Sequence, residues 1–284
     1  MTSALTATFL DDADGRVFAL MRRPRGPTRA SVLVAPPFAE EMNKSRRMVA
    51  ELSLLLAEIG VATVLVDPFG TGDSEGDFVA ADWDRWRRDL LSAAAWSEAE
   101  GCAVSGLIGI RLGCALAAEV ARELPQVAAT VFWQPVAEGS RMVDQFLRLR
   151  VAASMADGPR KETTAELRRA LREGLSVEIA GYDLSGAFVA QLDRVRLADV
   201  IGAHLGEASW FEIVRSETAD VGANVRKIVD AARAAGTRLE LSTVVGAPFW
   251  SSVEIVTNPR LLALTQTFFD RSLSSRASAA GSNQ

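Results

Sequence analysis

The chain has 284 residues, 49% of them hydrophobic and 24% charged, enough to bury a sizeable core as one large domain or a domain with a lid. Thirty-one Lys and Arg against 36 Asp and Glu give a net charge of −5, so there is no whole-chain footprint for nucleic acid, and no apolar run of about 18 residues marks a membrane span. His204 is the sole histidine, which excludes His-rich zinc sites and any mechanism needing two imidazoles; neither a metal nor a cofactor is expected.

Residues 5–10 alternate in polarity, Asp11 to Gly15 form a turn cluster, and 16–21 resume an extended pattern, which predicts a leading hairpin. The short apolar run 31–38 predicts a buried strand. A helix over 43–60 follows, with Met48, Leu52, Leu55 and Ile59 at helical spacing and Gly60 closing it. A second buried strand spans 61–69, a Gly/Asp loop 70–77, and an Asp/Trp/Arg-rich helix runs to about residue 100. A third strand (103–110), a helix (112–124) and a fourth strand (127–136) come next. Continuous apolar strands alternating with amphipathic helices predict parallel pairing with both faces covered, an α/β protein.

From 137 to 200 the strand signal stops and basic amphipathic stretches (141–155 and 162–173) take over, which predicts a helical cap. The sheet resumes at 209–214, followed by a helix (221–235), a strand (238–245) and a last helix (259–269). The core is thus expected in 1–136 and 201–271, with a disordered tail over 272–284. Cys102 and Cys114 make no disulfide scaffold, and 1–14 lacks a charged start before an apolar run. The expectation is a cytoplasmic protein without a signal peptide.

A leading antiparallel hairpin, then parallel β-α units, a late helical insertion and two final strands resembles the order of the α/β-hydrolases. That fold places its nucleophile on a sharp strand-to-helix turn flanked by glycine. Here the segment reads Gly109-Ile110-Arg111-Leu112-Gly113. The glycines of the elbow are present, but its tip is an arginine, whose guanidinium stays protonated and cannot attack a carbonyl carbon. The loop after the last strand, 245–250, should carry the base and holds no histidine. His204 comes earlier and reads as a packing histidine at the cap-to-core junction, with a pH-active role as the other reading.

Two further motifs compete. Gly72-Asp73-Ser74-Glu75-Gly76 matches G-x-S-x-G letter for letter, but lies beyond its strand and well before the next helix, so Ser74 reads as a loop residue of the pattern Asp67-x-x-Gly70-x-Gly72-x-Ser74. The same glycines have the wrong spacing for a dinucleotide loop. Cys114 sits in the first turn after the elbow, where Arg111 and a helix N-terminus would lower its pKa; among Ala115, Ala117 and Ala118 it also suits simple packing.

Several segments together resemble the exosortase A system-associated hydrolase 2 family. They are Pro36-Pro37-Phe38-Ala39-Glu40-Glu41-Met42-Asn43-Lys44, the block from Asp67 to Phe78 with Trp83 and Trp86, Gly109 to Gly113, Phe132-Trp133-Gln134-Pro135-Val136, Gln145 to Arg150, Ala180-Gly181-Tyr182, and Gly246 to Trp250 with Glu254-Ile255. The resemblance implies the α/β-hydrolase fold, hydrolysis of an acyl bond, and exopolysaccharide-pathway proteins as partners.

The residues themselves place Arg111 at the centre of the site. Glu40, Glu41 and Glu254 are its candidate acids, either neutralising it or holding a water for catalysis. Asn43, Lys44, Trp250 and Arg148 are candidates for contacting substrate. Two functions remain open: an ester or thioester hydrolase with an unorthodox nucleophile, or a non-catalytic protein that holds a small anionic or acyl-bearing ligand or acts as a scaffold.

Overall fold

The structure is a computed structural model that describes residues 3–11, 14–157 and 162–281. Strands β1 (Ser3–Leu10) and β2 (Val17–Pro24) form the leading antiparallel pair. They are followed by β3 (Ala30–Ala35), α1 (Glu40–Glu58), β4 (Val61–Val66), α2 (Trp83–Ala99), β5 (Val104–Ile110), α3 (Gly113–Ala121) and β6 (Ala129–Trp133). The segment between β6 and the next sheet strand holds α4 (Gly139–Asp157), α5 (Thr164–Arg172), β7 (Val177–Ile179), β8 (Tyr182–Leu184), α6 (Gly186–Leu192) and α7 (Leu197–Val200). The chain closes with β9 (Glu207–Val214), α8 (Ala223–Ala234), β10 (Arg238–Val245) and α9 (Pro259–Gly281). Eight strands make one sheet in the order β1-β2-β4-β3-β5-β6-β9-β10, with every pairing from β4 to β10 parallel and β2 antiparallel to β4.

Strand alternation divides the core into two. Val32, Val34, Ile108, Ile110, Val131 and Trp133 point to the face covered by α1 and α9, against Met48, Leu52, Leu261 and Phe269. Leu33, Leu107, Phe132 and Trp210 point to the other face, against Trp86 and Leu90 of α2 and Leu116 of α3. The second core continues into the insertion. Phe38 meets Phe146 of α4 at a centroid distance of 5.2 Å, Trp86 meets Phe188 of α6 at 5.0 Å, and Phe78 meets Tyr182 at 4.9 Å. Each such pair adds roughly 0.5–1.5 kcal/mol beyond its burial. The cap is therefore packed on the body through a shared aromatic cluster.

Several elements differ from expectation; β3 and β4, for example, end at Ala35 and Val66, short of the expected 38 and 69. Helix α1 starts at Glu40, three residues early: Ala39 takes φ 49° to turn the chain, and Glu40 and Glu41 occupy the first helical turn, where acids favour the helix dipole. Strand β6 stops at Trp133, because Gln134 has φ 47°. The cap contains a hairpin, β7 and β8, where no strand was expected; Ala180 (φ 53°) and Gly181 (φ 85°) supply the two positive-φ positions of a tight turn. Helix α9 continues over 272–281, where a disordered tail was expected, and Ser272 and Leu273 are buried against the body. The rest of that tail, 282–284, lies outside the described residues. No helix among the described residues is long and apolar enough to cross a membrane.

Candidate functional site

The turn between β5 and α3 is built by exclusion of side chains. A Cβ on Gly109 would lie 2.4 Å from the Cα of Cys114, and one on Gly113 would lie 2.3 Å from the carbonyl oxygen of Pro36. Between them Arg111 has φ 56°, a left-handed conformation that costs a non-glycine residue about 1–2 kcal/mol. The backbone holds it there: Arg111 N donates to Trp133 O at 2.9 Å, and Arg111 O accepts from Cys114 N at 3.2 Å and Val136 N at 3.3 Å. The strained tip thus projects the Arg111 side chain over the C-terminal ends of β5 and β6.

That side chain is 9% exposed. Its Nε donates to Glu41 at 3.3 and 3.4 Å, Nη1 to Gln134 O at 3.2 Å, and Nη2 to Gln145 Oε1 at 3.0 Å. The Trp250 ring covers the guanidinium, with Cζ 4.7 Å from the centroid. Glu41 is buried, and desolvation pushes its carboxyl up to about 7 against the opposing pull of Arg111. A second acid lies behind Gln134. Glu212 accepts from Gln134 Nε2 at 3.0 Å and Trp210 Nε1 at 2.7 Å, and burial raises its pKa as well. Arg111, Glu41, Glu40, Gln145, Leu149 and Trp250 border a cavity of about 300 Å³. Chemically this is a buried cation with an aromatic wall and a carboxyl that changes charge near neutrality. Ser251 also borders the cavity, with its hydroxyl turned to Pro248 O at 3.4 Å.

Of the residues expected in the site, Arg111, Glu41, Glu40 and Trp250 converge, although Glu40 is engaged by Lys44 at 3.6 Å. The other four do not border the cavity. Asn43 is exposed and donates to the Tyr182 hydroxyl at 3.1 Å, which ties α1 to the cap hairpin. Lys44, one helical turn from Glu40, is spent on that pair. Glu254 is exposed, because the chain after Trp250 runs out to the surface, where Val253 and Ile255 are 98% and 78% exposed. Arg148 is exposed too; the turn of α4 brings Met142, Gln145, Phe146 and Leu149 to the cavity instead. Gln134, Gln145 and Glu212 were missed. Helical phase from the apolar Met142, Phe146 and Leu149 was the signal that could have selected Gln145; for the other two only sheet order supplies it.

The competing motifs are structural. Ser74 Oγ accepts from Phe18 N at 2.7 Å and donates to Asp67 O, pinning the loop to β2. Asp67 in turn holds Arg46 at 2.9 Å and Asp73 N at 3.0 Å. Cys114 is fully buried with Sγ 3.8 Å from Trp133 O, and burial pushes its thiol well up despite Arg111. His204 lies near the opposite end of the sheet, with Nε2 3.0 Å from Ala118 O, and burial lowers its pKa. Among the described residues no group of three or more His, Cys, Asp and Glu side chains is placed to hold a metal ion.

No family model and no curated protein matches the sequence. Solved structures match it over nearly its whole length. Est1E from Butyrivibrio proteoclasticus with bound ferulic acid is 16% identical over 94% of this chain and 100% of that one, with a TM-score of 0.71. The α/β hydrolase GrgF from Penicillium sp. sh18 is 17% identical over 95% and 99%, with a TM-score of 0.64. The esterase domain of a Rhodothermus marinus protein is 17% identical over 95% and 99%, with a TM-score of 0.60. Likeness at this level is one of architecture, and with the strand order it leads to one conclusion: the chain has the α/β-hydrolase fold.

Proposed function

We propose that this protein is a non-catalytic relative of the α/β-hydrolases that binds a small anionic ligand on Arg111, the residue standing where the fold presents its nucleophile. One observation carries the reading: a buried guanidinium under Trp250 has as its direct charge partner a carboxyl whose pKa is raised to about 7. Once Glu41 is protonated, Arg111 retains only neutral acceptors, and a buried unpaired charge is costly. An incoming carboxylate relieves that cost and meets a planar donor fork suited to it. The motif likeness to exosortase-associated proteins supports an acyl-bearing or acidic exopolysaccharide-related ligand, with proteins of that pathway as partners. Two buried free cysteines are compatible with a cytoplasmic setting.

Ferulate, the conjugate base of the acid bound in Est1E, is a suitable first probe because it joins a carboxylate to an aromatic ring. Saturating ferulate should raise the melting temperature by preferential binding to the folded state. The affinity should weaken as pH rises through about 7 and Glu41 ionises, and the shift should vanish in Arg111→Met. An unchanged shift in that variant overturns the reading.

The same Glu41 supports a second reading, hydrolysis of an ester or thioester by a water that Glu41 deprotonates, since a general base works best with a pKa near the working pH. Arg111 would then polarise the acyl oxygen. Turnover of short acyl nitrophenyl esters that rises with Glu41 ionisation and disappears in Glu41→Gln would select this mechanism. Absence of turnover in the unsubstituted protein removes it.

A further inference from the structure

A second cavity lies on the other side of α1 from Arg111's pocket, between that helix and strands β2 and β4. Its volume is about 190 Å³, and its walls are mainly apolar, with Leu20, Met42, Val49 and Leu65 among them. That is below the roughly 300 Å³ at which pockets begin to take drug-sized ligands, so a slim ligand is required. One polar group in it lacks a charge partner. Arg22 is half-buried, donating Nε to Ser53 Oγ at 2.8 Å and Nη1 to Ser3 Oγ at 2.9 Å, with no carboxylate partner among the described residues. The neighbouring cation Arg46 is already matched by Asp67 at 2.9 Å.

We infer that this slot binds a medium-chain aliphatic carboxylate, its head on Arg22 and its chain against Leu20, Leu65, Val49 and Met42. A carboxylate rather than a phosphate is indicated because one arginine, with two of its five N–H groups committed, offers a single planar fork and no second free cation. The site is independent of Arg111.

Calorimetric titration of the full chain with octanoate tests it. One saturable site is expected, with octylamine and octanol binding at least tenfold more weakly. Arg22→Met should lower octanoate affinity at least tenfold, and Arg111→Met should leave it unchanged. If Arg22→Met does not fold, Ala50→Trp, at an exposed α1 position bordering the slot, should block binding in its place. Octanoate binding that survives Arg22→Met or Ala50→Trp, or is lost in Arg111→Met, overturns the assignment. So does the absence of saturable binding, or tighter binding of octyl phosphate.

Discussion

Trp250 lies over Arg111, ring against guanidinium, with 4.7 Å between the centroid and Cζ. The two residues come from the loop after β10 and the turn after β5, and their contact closes one wall of the cavity. A desolvated cation–π contact is worth about 2 kcal/mol. Trp250→Leu should therefore destabilise the fold by about 2 kcal/mol or more in urea denaturation, and Trp250→Phe, which keeps a weaker aromatic face, should recover part of that loss.

Glu41 makes stability depend on pH with a definite sign. Its folded-state pKa of about 7 lies above the ordinary 4.5, so below 4.5 it is protonated in both states and imposes no charge penalty. As pH rises from there to about 7 the unfolded chain ionises first, and stability falls. The full difference is about 3 kcal/mol at 1.36 kcal/mol per unit, reached just above pH 7. Urea melts at about pH 4 and about pH 8 should show Glu41→Gln losing less stability than the unsubstituted protein over that interval; parallel curves would contradict the assignment.

Ser74 is committed to backbone bonds with Phe18 and Asp67, so a fluorophosphonate probe should leave it unlabelled. Ser74→Ala leaves the Phe18 N–H without that acceptor and should cost about 1–2 kcal/mol. Mass spectrometry of the probe-treated protein and a denaturation curve of the variant check the two halves separately.

Gly113→Ala should be among the most damaging small substitutions, because its Cβ would approach the Pro36 carbonyl to 2.3 Å and backbone must shift to admit it. A loss of about 3 kcal/mol is expected. Gly26→Ala, with nothing within 4 Å of the added carbon, should change stability by less than about 0.5 kcal/mol.

Much of the architecture was legible in local pattern. Runs such as Ala30–Ala35 and Ala129–Trp133 are apolar throughout because both of their faces are covered, and this implies parallel strands with helices on each side. The glycines around Arg111 marked the elbow, since only a close approach to Pro36 and Cys114 requires them. The β7–β8 hairpin escaped notice because three-residue strands are too short to show a period.

The site divides along the same line. That the tip of the turn carries an arginine, and that no histidine lies in the loop after the last strand, follow from the order of residues alone. Which acid faces that arginine does not: Glu41 and Glu254 were equivalent candidates until α1 began at Glu40 and turned Glu41 inward, while the chain past Trp250 carried Glu254 to the surface. Gln145 displaced Arg148 through the phase of α4, and Glu212 joined through Gln134 because β6 and β9 are neighbours in the sheet. Sequence pattern reflects how each residue divides between water and core within a few positions of its neighbours. The charge state of Glu41 is set by burial among groups 70 or more positions away, and only the closed tertiary structure creates that desolvation.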